Sequence, residues 1–294
     1  MIEVENLSYT YPNQREKTIK DMTFSIGQGE IFAFLGPSGA GKSTIQKILI
    51  GLLKGYEGKA CVLGKEVKHT DANYYEEIGV AFEFPNFYHR LTALENLQFF
   101  RKLYTKQTAD PIELLKLVGL ADAANVRFSH FSKGMKMRLN FCRALLNHPK
   151  ILFLDEPTSG LDPVNVKNMK NLILQKKNEG TTIVITTHNM TIAEEICDRV
   201  AFVVDGEIRL IDSSKKLKVE YGKKVVSVEY EEPSGLQKSE FSLESLGDNH
   251  EFLSLIKQKK IVTIHTQEAS LEDIFIRVTG RRLNEHETYD RLPR

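Results

Sequence analysis

Eight consecutive residues, Gly36-Pro37-Ser38-Gly39-Ala40-Gly41-Lys42-Ser43, constrain this chain more tightly than any other stretch of it. They match G-x-x-x-x-G-K-[ST] at every fixed position, and each fixed residue has a physical reason to be there. Gly36, Gly39 and Gly41 let the backbone turn tightly enough for successive N–H groups to converge on phosphate oxygens. A helix beginning near Lys42 aims its positive end at the same place. Lys42 offers a point charge to the β- and γ-phosphates, and Ser43 offers a hydroxyl to Mg²⁺. The apolar run Ile31 to Leu35 reads as the strand that must precede such a loop, and Thr44 to Leu53 has the helical periodicity that must follow it. That context disfavours a plain glycine-rich turn. The motif points to a nucleotide and leaves the process open.

A phosphate loop needs a second element, a buried strand ending in a carboxylate, and Ile151-Leu152-Phe153-Leu154-Asp155-Glu156 supplies two. Alone, an Asp-Glu pair after a strand reads as charge at a helix N-terminus. Beside the loop, Asp155 reads as a holder of the Mg²⁺ shell and Glu156 as the base that orients or deprotonates water at the γ-phosphate.

The rest of the chain predicts an α/β core with a mainly parallel sheet. Ile2 to Tyr11 and Thr18 to Ile26 alternate as an antiparallel strand pair around a Pro12-Asn13-Gln14 turn. Leu91 to Asn147 is mainly helical, with Leu94, Leu97, Phe100 and Leu103 along one face and Leu114, Leu115 and Val118 along another, an inserted helical subdomain. Strand-type runs return at Ile151 to Leu154, Thr182 to Thr186 and Val200 to Val204, with a helix from Val164 to Lys177. Past Ser213 the character changes. Strands near Val225 to Tyr230 and Ile261 to Thr266 and helices near His250 to Lys257 and Leu271 to Val278 make a small α+β appendage. The expected division is 1–212 for the core (helical subdomain about 91–148), 213–222 for a Lys-rich linker, 223–283 for the appendage and 284–294 for a flexible tail.

Composition excludes several classes. With 40 basic and 39 acidic side chains, no global field recruits nucleic acid or anionic lipid. The cysteines Cys61, Cys142 and Cys197 lack metal-ligand spacing and read as small buried hydrophobes. Met1-Ile2-Glu3-Val4-Glu5 has no basic-then-apolar leader pattern, and no run approaches the ~18 apolar residues of a spanning helix. If the chain serves a membrane, another chain crosses it.

Over about Ile2 to Leu210 the sequence resembles an ABC transporter ATP-binding subunit. Phe131-Ser132-Lys133-Gly134-Met135 stands where that family has a signature like Leu-Ser-Gly-Gly-Gln. Ser159-Gly160-Leu161-Asp162 follows Glu156, and His188 follows Thr186-Thr187. The resemblance implies ATP and Mg²⁺ as ligands, with catalytic roles for Glu156, His188 and Lys42. It implies nucleotide contacts from Tyr11, Gly36, Pro37, Ser38, Gly39, Ala40, Gly41, Lys42, Ser43 and Thr44, and metal contacts from Ser43, Glu83 and Asp155. Ser132, Gly134 and Asp162 would act on the ATP of a second ATPase subunit, because a head-to-tail pair lets each signature helix close over its partner's γ-phosphate. Tyr11 matches the aromatic that stacks on adenine; Tyr9 is its rival.

Two departures from the family pattern stand out. Glu83 replaces the Gln that links Mg²⁺ and the lytic water to the membrane subunit, which adds negative charge beside the phosphates. Lys133 replaces a Gly in the signature, as in exporter-type members; its cation either faces the partner's γ-phosphate or is solvated. The aromatic loop Phe84-Pro85-Asn86-Phe87-Tyr88-His89-Arg90, through Leu91, is where the family receives a helix of a separate permease, although Phe84 and Phe87 can instead pack under the helical subdomain. The C-terminal stretch Ser270 to Gly280 is similar to the tail of exporter-type subunits; dimer contact, regulation and capping of the core are all open roles for it. The resemblance implies an ATP-hydrolysing subunit that sits peripherally on the cytoplasmic face of the membrane and drives export. The competing classes are a soluble ATPase of translation or DNA repair and a non-hydrolysing regulatory module. The first is disfavoured by a single phosphate loop with no heptad run, the second by the presence of both Lys42 and Glu156.

Overall fold

The computed structural model describes residues 1–12, 14–221, 224–267 and 269–281 of the 294. In chain order the elements begin with β1 (Ile2–Tyr9), β2 (Ile19–Ile26), β3 (Ile31–Leu35), α1 (Lys42–Leu49), β4 (Glu57–Val62), β5 (Lys65–Glu66), α2 (Ala72–Tyr75) and β6 (Ile78–Ala81). They continue with α3 (Ala93–Arg101), α4 (Pro111–Leu117), α5 (Lys133–Leu145), β7 (Ile151–Asp155), α6 (Pro163–Asn178), β8 (Thr182–Thr187), α7 (Met190–Ile196), β9 (Arg199–Val204) and β10 (Glu207–Asp212). The last are α8 (Ser214–Tyr221), β11 (Val225–Glu232), β12 (Gly235–Ser242), α9 (His250–Gln258), β13 (Lys260–Gln267) and α10 (Leu271–Thr279). Two compact units result, the first built on Met1–Ser213 and the second spanning Ser214–Gly280.

In the first unit a six-stranded sheet runs in the order β10-β9-β3-β8-β7-β6. Every neighbouring pair is parallel except β9 with β10. Helices cover both faces of such a sheet, so β3, β7 and β8 are buried at every residue, which is why they read as unbroken apolar runs. A four-stranded antiparallel sheet, β2-β1-β4-β5, packs its inner residues Ile2, Val4, Met22 and Phe24 into the same core as Phe32, Phe34, Ile45 and Ile48. Phe24 meets Phe34 edge-on with ring centroids 5.1 Å apart, and each such buried side chain contributes about 2 kcal/mol.

The helices start where the sequence carries caps. Asp110 and Asp162 each accept two backbone N–H groups and are followed by Pro at the first helical position of α4 and α6. Thr92 and Glu95 form a reciprocal capping box on α3. Helix α5 lies hard against β6: a Cβ on Gly79 would stand 1.9 Å from the Ala144 carbonyl oxygen, so only glycine admits this approach.

Several elements differ from expectation. Helix α1 stops at Leu49, and Leu52 beyond it is exposed. Leu103 lies past the end of α3 and is also exposed, so only Leu97 of the proposed stripe is fully buried. Cys142 is buried, whereas Cys61 and Cys197 are partly exposed. Strands β4, β5, β6 and β10 were not legible, because they are short or mix polar with apolar residues and take their shape from the strands they pair with.

The second unit holds the antiparallel sheet β12-β11-β13. Val226, Val228 and Phe241 form its core, with Phe252 and Leu255 of α9 packed on them. The segment 213–222, expected to be a linker, instead carries α8, whose Leu217 is buried, so the lysine run is the polar part of a helix belonging to this unit. Strand β12 carries no strand pattern of its own, because Gly235 to Glu240 is mainly polar and mostly exposed, as an edge strand permits. Asn13 and the expected flexible tail 284–294 lie outside the described residues.

Candidate active site

The phosphate loop joins the buried end of β3 to the start of α1. Gly41, with φ of 105°, turns the chain through a conformation closed to most side chains, and α1 begins at Lys42. The Lys42 ammonium donates to the Gly36 and Pro37 carbonyl oxygens at 2.6 and 2.8 Å. Burial pushes it below the ordinary lysine value, while Glu156, Asp155 and Glu83 pull it back up. A desolvated cation braced on backbone oxygens needs only a short movement to reach a phosphate entering the loop.

Strands β7 and β8 run parallel with Asp155 opposite Thr186, which brings the carboxylate end of one strand beside the threonine end of the other. Asp155 is nearly buried and receives the Thr186 hydroxyl. Burial holds its carboxyl above the usual range, against the Thr186 hydrogen bond; Glu156 adds to the rise, and Lys42 and Ser43 oppose it. Glu156 sits in the left-handed region with φ of 47°, a backbone state that costs a non-glycine residue ~1–3 kcal/mol. That kink turns its side chain toward the end of β8. There Oε1 accepts the His188 backbone N–H at 3.0 Å and meets His188 Nδ1 at 2.7 Å, and Oε2 accepts the Thr187 hydroxyl at 2.8 Å.

Glu83 follows β6 and is half-buried. Burial raises its carboxyl, with Asp155 and then Glu156 adding to the rise and Lys133 and His188 opposing it. Three carboxylates therefore repel one another beside Lys42, and a hard divalent cation would relieve that repulsion. Among the described residues no three His, Cys, Asp or Glu side chains form a metal cage of their own. Mg²⁺ takes one or two carboxylates and completes its shell with a hydroxyl, water and phosphate oxygens. Ser43, Asp155 and Glu83 fit that donor set.

Ser132 caps α5 by accepting the Met135 N–H at 3.2 Å, so the signature stands at the N-terminus of a 13-residue helix. The stem of Lys133 lies over Gly160, and Gly134 faces the Gly160 carbonyl. Asp162 accepts the Val164 and Asn165 N–H groups, both at 3.1 Å, as the cap of α6. The Asn165 side-chain bond, followed by its backbone bond, lowers the Asp162 carboxyl below its ordinary value. Among the described residues no hydrogen bond joins Ser132, Gly134 or Asp162 to Lys42, Asp155 or Glu156. Ser132 and Asp162 thus bond locally as helix caps, while Lys133 beside them is near enough to Glu83 to act on its charge. Tyr9 is buried in β1, whereas Tyr11 is half-exposed and places its hydroxyl 3.2 Å from the Thr44 hydroxyl, beside the phosphate loop.

In the aromatic loop Phe87 is buried against Phe100 and Phe128, while Phe84 is 78% exposed and Tyr88 51%. A cleft of about 910 Å³ opens between β6, this loop and α3, lined by Val80, Phe82, Phe87, Tyr88, Phe100 and Arg143. Two residues of α5, neither legible in the sequence, hold the loop in place. Asn140 donates to the Phe82 carbonyl at 2.6 Å, and Arg143 donates to the Asn86 carbonyl at 3.0 Å and to Asn140 Oδ1 at 2.8 Å. Glu83 lies between the two anchored carbonyls.

Residues 19–159 match the family described as ABC transporter, and residues 224–268 match the fluoroquinolone efflux ABC transporter C-terminal domain. The chain is 51% identical to a fluoroquinolones export ATP-binding protein of Mycobacterium tuberculosis, over 96% of this chain and 94% of the relative. It is 31% identical to the uncharacterized ABC transporter ATP-binding protein YhcH of Bacillus subtilis, over 97% and 98% of the two chains. Among solved structures it is similar to the ATP-binding cassette MJ0796 in a dimeric post-hydrolysis state bound to ADP and Pi. That likeness has a TM-score of 0.67 and 28% identity, and covers 72% of this chain and 98% of the other.

Proposed function

Because this chain belongs to the ATP-binding subunits of ABC transporters, we propose that it hydrolyses ATP at Glu156 in a head-to-tail dimer and thereby drives a separate export permease. The observation that carries the assignment is the convergence of Lys42, Asp155, Glu156 and His188 at the adjoining ends of β3, β7 and β8.

ATP enters with its β- and γ-phosphates on the amides between Gly36 and Thr44, and Lys42 transfers its donors from the two loop carbonyls to phosphate oxygens. Tyr11 stands beside the loop, where it offers its ring to the adenine. Ser43, Asp155 and Glu83 would hold Mg²⁺, which would supply positive charge beside the phosphates. Glu156 orients the attacking water and takes its proton as the water oxygen bonds to the γ-phosphorus and the bond to the β–γ bridging oxygen breaks, leaving ADP and phosphate. His188 faces the same γ-phosphate from its half-exposed position. Ser132, Gly134 and Asp162 serve the partner subunit's nucleotide: a helix N-terminus attracts an anion, and among the described residues no hydrogen bond joins α5 to its own phosphate loop.

Exposed Phe84 and Tyr88 and the cleft beside them suit an apolar helix of the permease. Among the described residues no helix is long and apolar enough to cross a membrane. The likeness to an export ATP-binding protein supports a peripheral place on the permease's cytoplasmic side. The relative at 51% identity supports cargo of the fluoroquinolone class.

Replacing Glu156 by Gln keeps the side chain's shape and removes the base. Hydrolysis should fall at least ~100-fold, while a stable dimer forms with Mg-ATP, read by light scattering. A variant that binds nucleotide yet remains monomeric, or that hydrolyses at the wild-type rate, would refute the scheme.

A further inference from the structure

The Glu156 carboxylate must present one defined lone pair to water, yet the terminal torsion of a glutamate is broad and selects no rotation by itself. The end of β8 supplies the missing constraint. Successive strand residues point to opposite faces, so the adjacent threonines Thr186 and Thr187 part company: Thr186 meets Asp155, and Thr187 meets Glu156. Both are almost fully buried, at 0% and 2% exposure.

The direction of each hydrogen bond follows from the donors available. Thr187 Oγ1 accepts the backbone N–H of Asn189 at 3.0 Å. Its single hydrogen is then free for Glu156 Oε2, 2.8 Å away, and an ionised carboxylate can only accept. The same rule places a proton on His188 Nδ1, so Oε1 takes two donors, that ring N–H and the backbone N–H of His188. Each carboxylate oxygen has two lone-pair directions. Oε1 is thus fully used, and Oε2 keeps one open.

We propose that Thr187 is a positioning residue for ATP hydrolysis: its hydroxyl fixes the rotation of the Glu156 carboxylate so that the open lone pair of Oε2 receives the attacking water. This rests on Glu156 being the group that acts on water. Thr186 does the parallel work for Asp155. The Gln46 side-chain oxygen lies 2.8 Å from the same hydroxyl, so the Thr186 hydroxyl stands between Gln46 and Asp155.

The test compares Thr187→Val, an isosteric replacement lacking the hydroxyl, with Thr187→Ser, which keeps it, in the full-length chain. Thr187→Val should lower kcat by about 10- to 100-fold, the order expected when a reacting group loses its orientation. ATP affinity and ATP-driven dimerisation should be unchanged, and Thr187→Ser should recover kcat to within about threefold. On a Glu156→Gln background Thr187→Val should change nothing further, since residues acting as one unit are not additive. Wild-type kcat in Thr187→Val while Glu156→Gln is inactive would overturn the proposal. So would loss of ATP binding in both Thr187 variants, which would mark the residue as structural. Wild-type hydrolysis by Glu156→Gln would overturn the reading of Glu156 itself and this proposal with it.

Discussion

Asn140→Ala should destabilise the first unit and loosen the loop that carries Glu83. Asn140 is fully buried and satisfies two groups that remain after its truncation, the Phe82 carbonyl and one N–H of the Arg143 guanidinium. Each buried group left without a partner costs ~1–3 kcal/mol, and the guanidinium lies at the upper end because it is charged. Burial already depresses the Arg143 guanidinium below its ordinary value, so water offers it little compensation. The Asn86 carbonyl and the rings of Phe87 and Phe100, 4.9 and 5.2 Å from the guanidinium, still hold it and limit the loss. The sum is about 3 kcal/mol, and at ~2–4 °C per kcal/mol for a unit of this size the melting temperature should fall by about 10 °C. Locally, amides of 82–87 should exchange ~100-fold faster in the native state, because one of the two anchors bracketing Glu83 is gone. Differential scanning calorimetry and hydrogen exchange read both effects. A melting temperature within 2 °C of wild type, or unchanged exchange in this loop, would refute the clamp.

Glu83→Gln removes one of three mutually repelling carboxylates, so turnover should rise several-fold and become less dependent on Mg²⁺ concentration; a rate and Mg²⁺ titration that match wild type would exclude any role for the extra charge. Glu77 has its carboxyl lowered by the Lys106 and Lys150 hydrogen bonds. Because the folded value is depressed, its stabilisation is present above the unfolded glutamate value and is lost as pH falls through the folded one. Glu77→Gln should therefore lower the urea midpoint modestly at neutral pH and leave it unchanged in acid below both values, and a deficit that persists in acid would point to packing instead.

Local pattern and tertiary pairing contributed different parts of this protein. The phosphate loop, the strand Ile151 to Leu154, the caps Asp110-Pro111 and Asp162-Pro163 and the apolar faces of β3 and β8 are local statements: backbone geometry and periodicity are encoded in neighbouring residues. So the α/β core, and the meeting of the phosphate loop with the strand that ends in Asp155 and Glu156, were legible from the amino acids alone. Helix α8 was hidden by its lysines, and β12 by its polar edge position, since in both cases the neighbours rather than the residues themselves decide the state.

The finer layer of the site depends on side chains that touch only after folding. Thr187 lies 31 residues from Glu156, Asn140 58 from Phe82 and Gln46 140 from Thr186. Asn140 and Gln46 belong to no motif, and Thr187 entered only as the neighbour of His188, because a threonine on a strand or an asparagine on a helix is ordinary in its own neighbourhood. What makes them important is the parallel register that sets Asp155 against Thr186 and the glycine at 79 that lets α5 approach β6. The sequence by itself named the groups proposed to meet the nucleotide. The tertiary structure alone decided how they are held, because orientation comes from hydrogen bonds that long-range packing brings within reach.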